Sequence, residues 1–189
     1  MSIASIANWI EATGPARAIA QSTWMFPAAE TVHVLAIALV VGSIAVLDLR
    51  LLGVSWTSRP VTEVAHDVLP WTWACFAIAA IAGSLMFISA AAKYAVDLPF
   101  QLKLLLLASA GANMLIFHYF TYSGVKAWDH NAAAPRAAKV AASLSLVFWI
   151  AVVACGRMVS FTTESHFGPS ASRSPQMVLA QVEPETSRR

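Results

Sequence analysis

The sequence predicts an all-α integral membrane protein, a four-helix bundle preceded by an N-terminal amphipathic helix that lies in the membrane interface. Two observations support this prediction. Hydrophobic residues make up 58% of the 189 residues and charged residues only 12%, whereas a soluble domain has about 25% charged residues. In addition, four long stretches contain no charged residue, at 31–47, 68–92, 104–125 and 140–156.

A helix needs about 20 apolar residues to cross the hydrocarbon. Allowing the bordering charges to lie at helix ends, we expect spans at 26–52, 69–93, 100–124 and 137–161. Aromatic residues then fall at two levels, as they do at the two membrane surfaces. We name these surfaces face B, where the first span begins, and face A. The aromatic residues of face B are Trp24, Tyr94, Phe100 and Phe161, and those of face A are Trp56, Trp71, Trp73, Tyr122 and Trp128.

The chain divides into an interfacial segment (1–23), a transmembrane domain (24–162) and a polar tail (163–189). In the first segment, apolar residues recur at helical spacing, which is typical of a helix lying in the interface. The tail is rich in Ser, Pro, Glu and Arg, a composition that predicts disorder. Between the first two spans, the sequence from Ser58 to Glu63 favours a short interfacial helix that bends at Pro70.

Composition excludes several classes of function. The net charge is +2 and no basic run with interleaved aromatic residues is present, so a nucleic-acid partner is not expected. Two cysteines are too few for a disulfide framework or a zinc site. The sequence also lacks a nucleophile–base set, a phosphate loop and a carboxylate pair, so we expect neither hydrolysis nor phosphoryl transfer.

Two histidines lie inside apolar spans, where an ionisable side chain is costly and often functional. Counting from Trp24, His33 lies about 13 Å below face B, and His118 lies about 12 Å below face A. The two side chains would then differ by only about 5 Å in height within a core of about 30 Å. If Glu30 marks the surface instead, the two histidines separate into different sites.

Neutral imidazole suits haem iron, copper or zinc. A bis-histidine haem b between the first and third spans is the arrangement that such spacing serves most readily, because facing helices supply inward side chains. Copper is the alternative, with Met86 and Met114 as soft ligands. A hydrogen bond between helices is the third explanation of a buried histidine.

Other residues extend this candidate cofactor site. Gly111 and Met114 precede His118 on the same predicted helical face, and a stripe of small residues with Met86 runs along the second span (Ala79, Gly83, Met86, Ala90). Small residues serve close helix packing, and they also leave room for a flat macrocycle. Arg157, at the level of Glu30, is expected to pair with that residue or to clamp a haem propionate.

The remaining polar residues have plainer interpretations. Ser109 and Asn113 form an i, i+4 pair on the third span, and we expect them to tie helices together. His66, His130 and His166 fall in loops or at helix ends, where solvation is the commoner state; His66 and His130 share face A and could form a second metal site.

Several short motifs together resemble a family of small bacterial four-helix membrane proteins with no assigned function. They are His33, Asp48-Leu-Arg50-Leu-Leu-Gly53, Leu69-Pro-Trp71, Lys103, Asn113…His118, Ser145…Trp149 and Gly156-Arg157. The resemblance covers about 24–162, and that family is similar in appearance to CopD-type copper-resistance proteins and to small b-type cytochromes. It implies a multi-pass protein of the bacterial inner membrane.

The sequence therefore leads to three hypotheses. The first is a b-type cytochrome subunit that passes electrons between a quinol and a periplasmic redox partner. The second is a copper-handling or transport protein with a periplasmic metal-binding partner. The third is a structural subunit of a larger complex, and the small-residue stripes hint at self-association. The site residues predicted are His33 and His118 as metal ligands, with Arg157, Gly111 and Met114 around the cofactor.

Overall fold

The computed structural model describes residues 2–129 and 134–165. The described chain forms α1 (Ile3–Glu11), α2 (Gly14–Gln21), α3 (Met25–Leu52), α4 (Val61–Ser89), α5 (Ala91–Val96), α6 (Leu98–Ile116) and α7 (Arg136–Ser165). A π-helical turn (Phe117–Thr121) and a 3₁₀ segment (Tyr122–Ala127) continue α6. The all-α prediction is therefore confirmed.

Four of these helices are long and apolar enough to cross a membrane: α3, α4, α6 with its π-helical turn, and α7. Their outer faces carry large exposed apolar side chains such as Leu35, Leu39, Leu105 and Ile150. A surface with so many exposed apolar side chains is suited to contact with lipid and not with water. The protein is a multi-pass membrane protein with four spans.

The second span differs from its predicted form. The helix expected to begin near residue 69 begins at Val61 and continues through Pro70 to Ser89, and Ala91–Val96 forms a separate short helix. Pro70 is tolerated because the carbonyl that loses its donor belongs to His66, four residues earlier. His66 is exposed at the start of the helix, where water can satisfy that carbonyl.

The spans meet in a buried cluster at face A and leave a space between them towards face B. α3 packs on α4 and on α7, and α7 packs on α6. At face A a buried cluster joins α3, α4, α7 and the segment that follows α6, and Phe117 packs against it. Its members are Leu51, Val61, Val125, Trp128, Ala138 and Ala142. The extensive contacts of α4 are with α3, and those of α6 are with α7. In the described ranges, α4 and α6 contact each other through the stacked rings of Phe87 and Phe100, and a gap lies between the two helices beside this contact.

The first two helices cover the face-B end of the bundle. α1 packs on α5 and α2 packs on α4. The Glu11 carboxylate accepts a hydrogen bond from the backbone N–H of Ala92 at 2.7 Å, in the first turn of α5. A carboxylate at this position satisfies a donor that has no partner within its own helix. α7 extends to Ser165, and the rest of the predicted disordered tail, 166–189, lies outside the described residues.

Candidate functional site

A large cavity fills the gap between α4 and α6, at the face-B end of the bundle. Its volume is about 930 Å³, within the range of about 300–1,000 Å³ that is typical of sites for small molecules and cofactors. Most of the lining is apolar. The polar or charged residues in it are Glu30, His33, Ser84, Lys93, Tyr94, Gln101, Lys103 and Ser160. We call this space the face-B cavity.

His33 is fixed at the wall of this cavity by the backbone of α4. Its Nδ1 lies 2.7 Å from the carbonyl oxygen of Ala79. Because a carbonyl can only accept, this contact assigns the ring proton to Nδ1 and leaves the lone pair on Nε2. Metal-binding histidines are usually held in this way, with the nitrogen that does not bind metal donating to a carbonyl or carboxylate.

Gly83 allows the imidazole to approach α4 so closely. A Cβ atom at this position would lie 2.7 Å from Cε1 and 3.1 Å from Nδ1 of His33. Any side chain at residue 83 therefore collides with the ring. The small-residue stripe of the second span thus forms the surface against which His33 packs, and its four members all line the face-B cavity.

Lys103 reaches the same point from α6. Its Nζ lies 3.5 Å from Nε2 of His33. Gly156 of α7 lies beside this side chain, since a Cβ atom there would be in ordinary contact with the lysine Nζ at 3.6 Å. A donor group and an imidazole lone pair therefore face the cavity side by side, in a mainly apolar setting that strengthens their interactions with a bound ligand.

Aromatic rings and a second lysine form the rim of the cavity. Phe87 and Phe100 stack with centroids 5.5 Å apart, and Tyr94 lies 5.5 Å from Phe100. Burial, and then the nearby charges of Glu30 and Asp97, raise the pKa of Tyr94, so its phenol stays neutral and can donate a hydrogen bond. Burial lowers the pKa of Lys93, against the opposing charge of Asp97.

This arrangement can bind a large, mostly apolar molecule with a polar or acidic end. The Nε2 lone pair of His33 can ligate a metal or accept a hydrogen bond. Lys103 and Lys93 can receive carboxylates or carbonyl oxygens, and charge-assisted contacts of this kind are the stronger ones.

His118 does not belong to the face-B cavity. It follows Lys103 by fifteen residues on the same continuous helical run, which corresponds to about 22 Å along the axis. It is exposed, and its ring stacks on Tyr122 at 5.6 Å. Two nitrogens that ligate one metal ion in line lie about 4 Å apart, twice the usual bond of about 2 Å. This fold therefore does not bring His33 and His118 to one shared iron.

The other predicted site residues are also distributed differently. Gly111 and Met114 line a second, smaller cavity nearer face A, and His118 does not line it. His118 lies in the π-helical turn that begins at Phe117 and is exposed, so it does not share the cavity-facing position of Gly111. The guanidinium of Arg157 lies over the ring of Phe161 at 5.2 Å, and in the described part of the chain it makes no ion pair with Glu30.

The candidate second metal site on face A is only partly described. His66 is exposed and lies 3.8 Å from the Asp67 carboxylate. His130 and His166 lie outside the described residues. Among residues 2–129 and 134–165, no group of three or more His, Cys, Asp or Glu side chains is placed to hold a metal ion.

The geometry places Lys103 at the centre of the site, a role that sequence reasoning did not assign to it. In the sequence it directly precedes the charge-free stretch 104–125, whereas in the structure it lies five residues inside α6. A lysine within an apolar helix is costly unless it faces the bundle interior or a water-filled cavity. That signal was present in the sequence.

The sequence profile of a family of unknown function, DUF6644, matches residues 2–162. The chain belongs to this family. The match covers the whole transmembrane domain together with α1 and α2, and so includes the interfacial helices that the motif resemblance had left out. No curated protein and no solved structure matches the chain.

Proposed function

We propose that this protein is a membrane electron-transfer subunit of the b-type cytochrome class, which binds haem b in the face-B cavity with His33 as an iron ligand. The observation that carries the proposal is the hydrogen bond between His33 Nδ1 and the Ala79 carbonyl. It holds the ring in the tautomer that a metal ligand needs and leaves the Nε2 lone pair on the side of Lys103 of α6.

The dimensions and lining of the cavity support this proposal. A volume of about 930 Å³ gives room for a macrocycle. Ala80 and Ser84 present small side chains of α4 to the cavity, which leaves space for a flat ring next to the imidazole of His33. Phe87 and Phe100 supply an apolar wall. Burial in such surroundings is one of the ways in which a protein sets the potential of a haem.

The charged groups at the cavity suit the two propionates of haem b. Lys93, Lys103 and Tyr94 all line it and offer donors to carboxylate oxygens. Lys103 is 3.5 Å from Nε2 of His33, so haem binding requires its flexible chain to move from the imidazole to a propionate. These residues take the clamping role that we had expected of Arg157.

Met86 is the proposed second ligand. It lines the same cavity as His33 and lies on the same stripe of α4 as Gly83. A histidine–methionine pair is an established form of haem ligation, and methionine raises the reduction potential. The subunit would then accept electrons from a quinol and pass them to a redox protein outside the bacterial inner membrane.

Copper is the second candidate, and the same observation favours it. Imidazole together with a thioether is a suitable ligand set for Cu(I), and His33 and Met86 supply these groups within one cavity. Likeness to CopD-type proteins remains a prediction from the motifs. Metal analysis separates this candidate from haem.

The experiment is a reduced-minus-oxidised visible spectrum of the protein, expressed with ample haem and purified in mild detergent, followed by metal analysis. A sharp α-band with a shifted Soret peak and about one iron per chain supports the cytochrome. A flat spectrum with stoichiometric copper supports the second candidate. A flat spectrum without metal contradicts both and leaves a structural subunit.

A further inference from the structure

A second cavity lies at the centre of the bundle, nearer face A. None of the polar residues that line it also lines the face-B cavity. Its volume is about 220 Å³. Each of the four spans contributes one small polar or acidic side chain to its wall: Asp48 from α3, Thr72 from α4, Asn113 from α6 and Ser145 from α7. The rest of the lining is apolar, apart from two tryptophans. We call this space the inner cavity.

Asp48 has an unsatisfied oxygen at this cavity. The residue is only 6% exposed, and its Oδ2 is fully buried and has no hydrogen-bond partner among the described residues. The Ser145 hydroxyl is the hydrogen-bonding neighbour of the carboxyl group. A buried polar atom without a partner is costly, and such atoms in native proteins usually mark an ion, a water molecule or a functional group.

Neither protonation state of Asp48 removes this deficit. An ionised carboxylate needs a donor or a cation at Oδ2, and a protonated carboxyl needs an acceptor there. Lysine, arginine and histidine are all missing from the lining of the inner cavity, so no side chain within it balances a negative charge. A charge in a membrane interior is almost always paired.

The neighbouring groups add oxygen atoms that can accept. Asn113 donates from Nδ2 to the Ala141 carbonyl at 2.9 Å, which leaves its own amide oxygen as an acceptor. Thr72 donates its hydroxyl proton to Ser43 Oγ at 2.9 Å or to the Val68 carbonyl at 3.0 Å. The oxygens of Thr72 and Ser145 retain lone pairs. The inner cavity is therefore rich in acceptors and poor in donors.

We propose that the inner cavity binds one monovalent inorganic cation, with Asp48 as the charged ligand and Asn113, Ser145 and Thr72 as neutral oxygen ligands. One carboxylate balances a single positive charge, whereas a divalent ion would leave a net charge in the membrane. The volume leaves space for water molecules to complete the shell. This site does not depend on what occupies the face-B cavity.

Thermal unfolding of the full-length protein in mild detergent tests this proposal. Sodium, potassium or lithium chloride is compared with choline chloride at equal ionic strength and mildly alkaline pH. A ligand that binds only the folded state raises the unfolding temperature, by about 5 °C or more near saturation. We expect that rise with at least one alkali cation, and about one ion per chain in equilibrium binding with radioactive sodium or rubidium.

The variants locate the site. Asp48→Asn should abolish the cation-dependent rise, and Ser145→Ala, which keeps the charge, should weaken binding about tenfold. Asp67→Asn makes the same change at an exposed carboxylate and should leave the rise intact. An unfolding temperature that is the same in all four salts overturns the proposal and leaves a cavity filled by water or closed by a proton. A response to divalent ions alone overturns it as well.

Discussion

Gly83 of α4 lies directly against the imidazole of His33 of α3. Only a hydrogen atom fits between the α-carbon of residue 83 and this ring, so any side chain there would collide with it. A Cβ atom at residue 83 would be 2.7 Å from His33 Cε1. The contact brings Nδ1 to the Ala79 carbonyl and so determines which nitrogen faces the cavity. The geometry of the candidate ligand therefore depends on a glycine in the neighbouring helix.

The first prediction concerns this contact. Gly83→Ala should lower the free energy of unfolding by about 1–3 kcal/mol, because it overpacks the helix interface, and should reduce bound haem. Gly42→Ala is the matched control, since a Cβ atom there meets nothing within 4 Å. Alanine favours helix over glycine by up to about 1 kcal/mol, so the control should be neutral or stabilising. Equal effects of the two substitutions on thermal unfolding would contradict the assigned contact.

The second prediction concerns Lys103. Lys103→Met should leave the protein folded, because an apolar side chain of similar length replaces a partly buried polar one. It should weaken binding of an acidic ligand in the face-B cavity by about 1.5–3 kcal/mol, or roughly ten- to hundredfold. Haem titration of the protein in detergent measures this change. Lys139→Met is the control, because it makes the same change at the opposite face of the bundle. It should bind haem with the affinity of the native protein.

The third prediction distinguishes two polar residues of α6 that the sequence had grouped together. Asn113 donates to the Ala141 carbonyl of α7 at 2.9 Å, whereas Ser109 donates to Leu105 of its own helix. Asn113→Ala should therefore lower the free energy of unfolding by about 0.5–1.5 kcal/mol. Ser109→Ala should leave it almost unchanged. Thermal unfolding of both variants provides the comparison, and a larger loss at Ser109 would refute the assignment.

The fourth prediction concerns the closure of face A. Both Asp129 carboxylate oxygens accept hydrogen bonds from Thr62 in the first turn of α4, one from its backbone N–H at 3.2 Å and one from its hydroxyl. Asp129 is 4% exposed. Asp129→Ala should lower the free energy of unfolding by about 1–3 kcal/mol, since it leaves the partly buried donors of Thr62 unpaired.

A double-mutant cycle with Thr62→Val tests the pairing behind this prediction. Residues in contact give coupling energies of about 0.5–3 kcal/mol. Additive losses in the two single variants would show that Asp129 acts elsewhere.

Much of the fold could be predicted from the sequence because hydrophobic length is a strong signal in membrane proteins. The four spans, the first helix (Ile3–Glu11) and the small-residue stripe beside His33 are all in the structure. The continuation of α4 through Pro70 was not predicted. A proline usually marks the end of a helix, unless another group or water satisfies the carbonyl four residues earlier that has lost its donor.

The site was predicted in part. His33 was identified because an ionisable side chain in hydrocarbon is conspicuous. The structure does not bring His33 and His118 together. Depth counted from helix ends depends on where each span meets the membrane surface, and the sequence leaves that boundary open between Trp24 and Glu30 for His33. A lysine inside an apolar span is a signal that the sequence carries, but the contact of Lys103 with His33 and the unpartnered oxygen of Asp48 depend on how neighbouring helices pack.

The most direct test of the central proposal is the haem content per chain of His33→Ala and His118→Ala, purified side by side with the native protein. We expect His33→Ala to lose the α-band and its haem, and His118→Ala to keep both. Full haem retention by His33→Ala would remove the face-B cavity as the cofactor site. Loss of haem from folded His118→Ala, with His33 intact, would return His118 to the ligand set and contradict the arrangement described here.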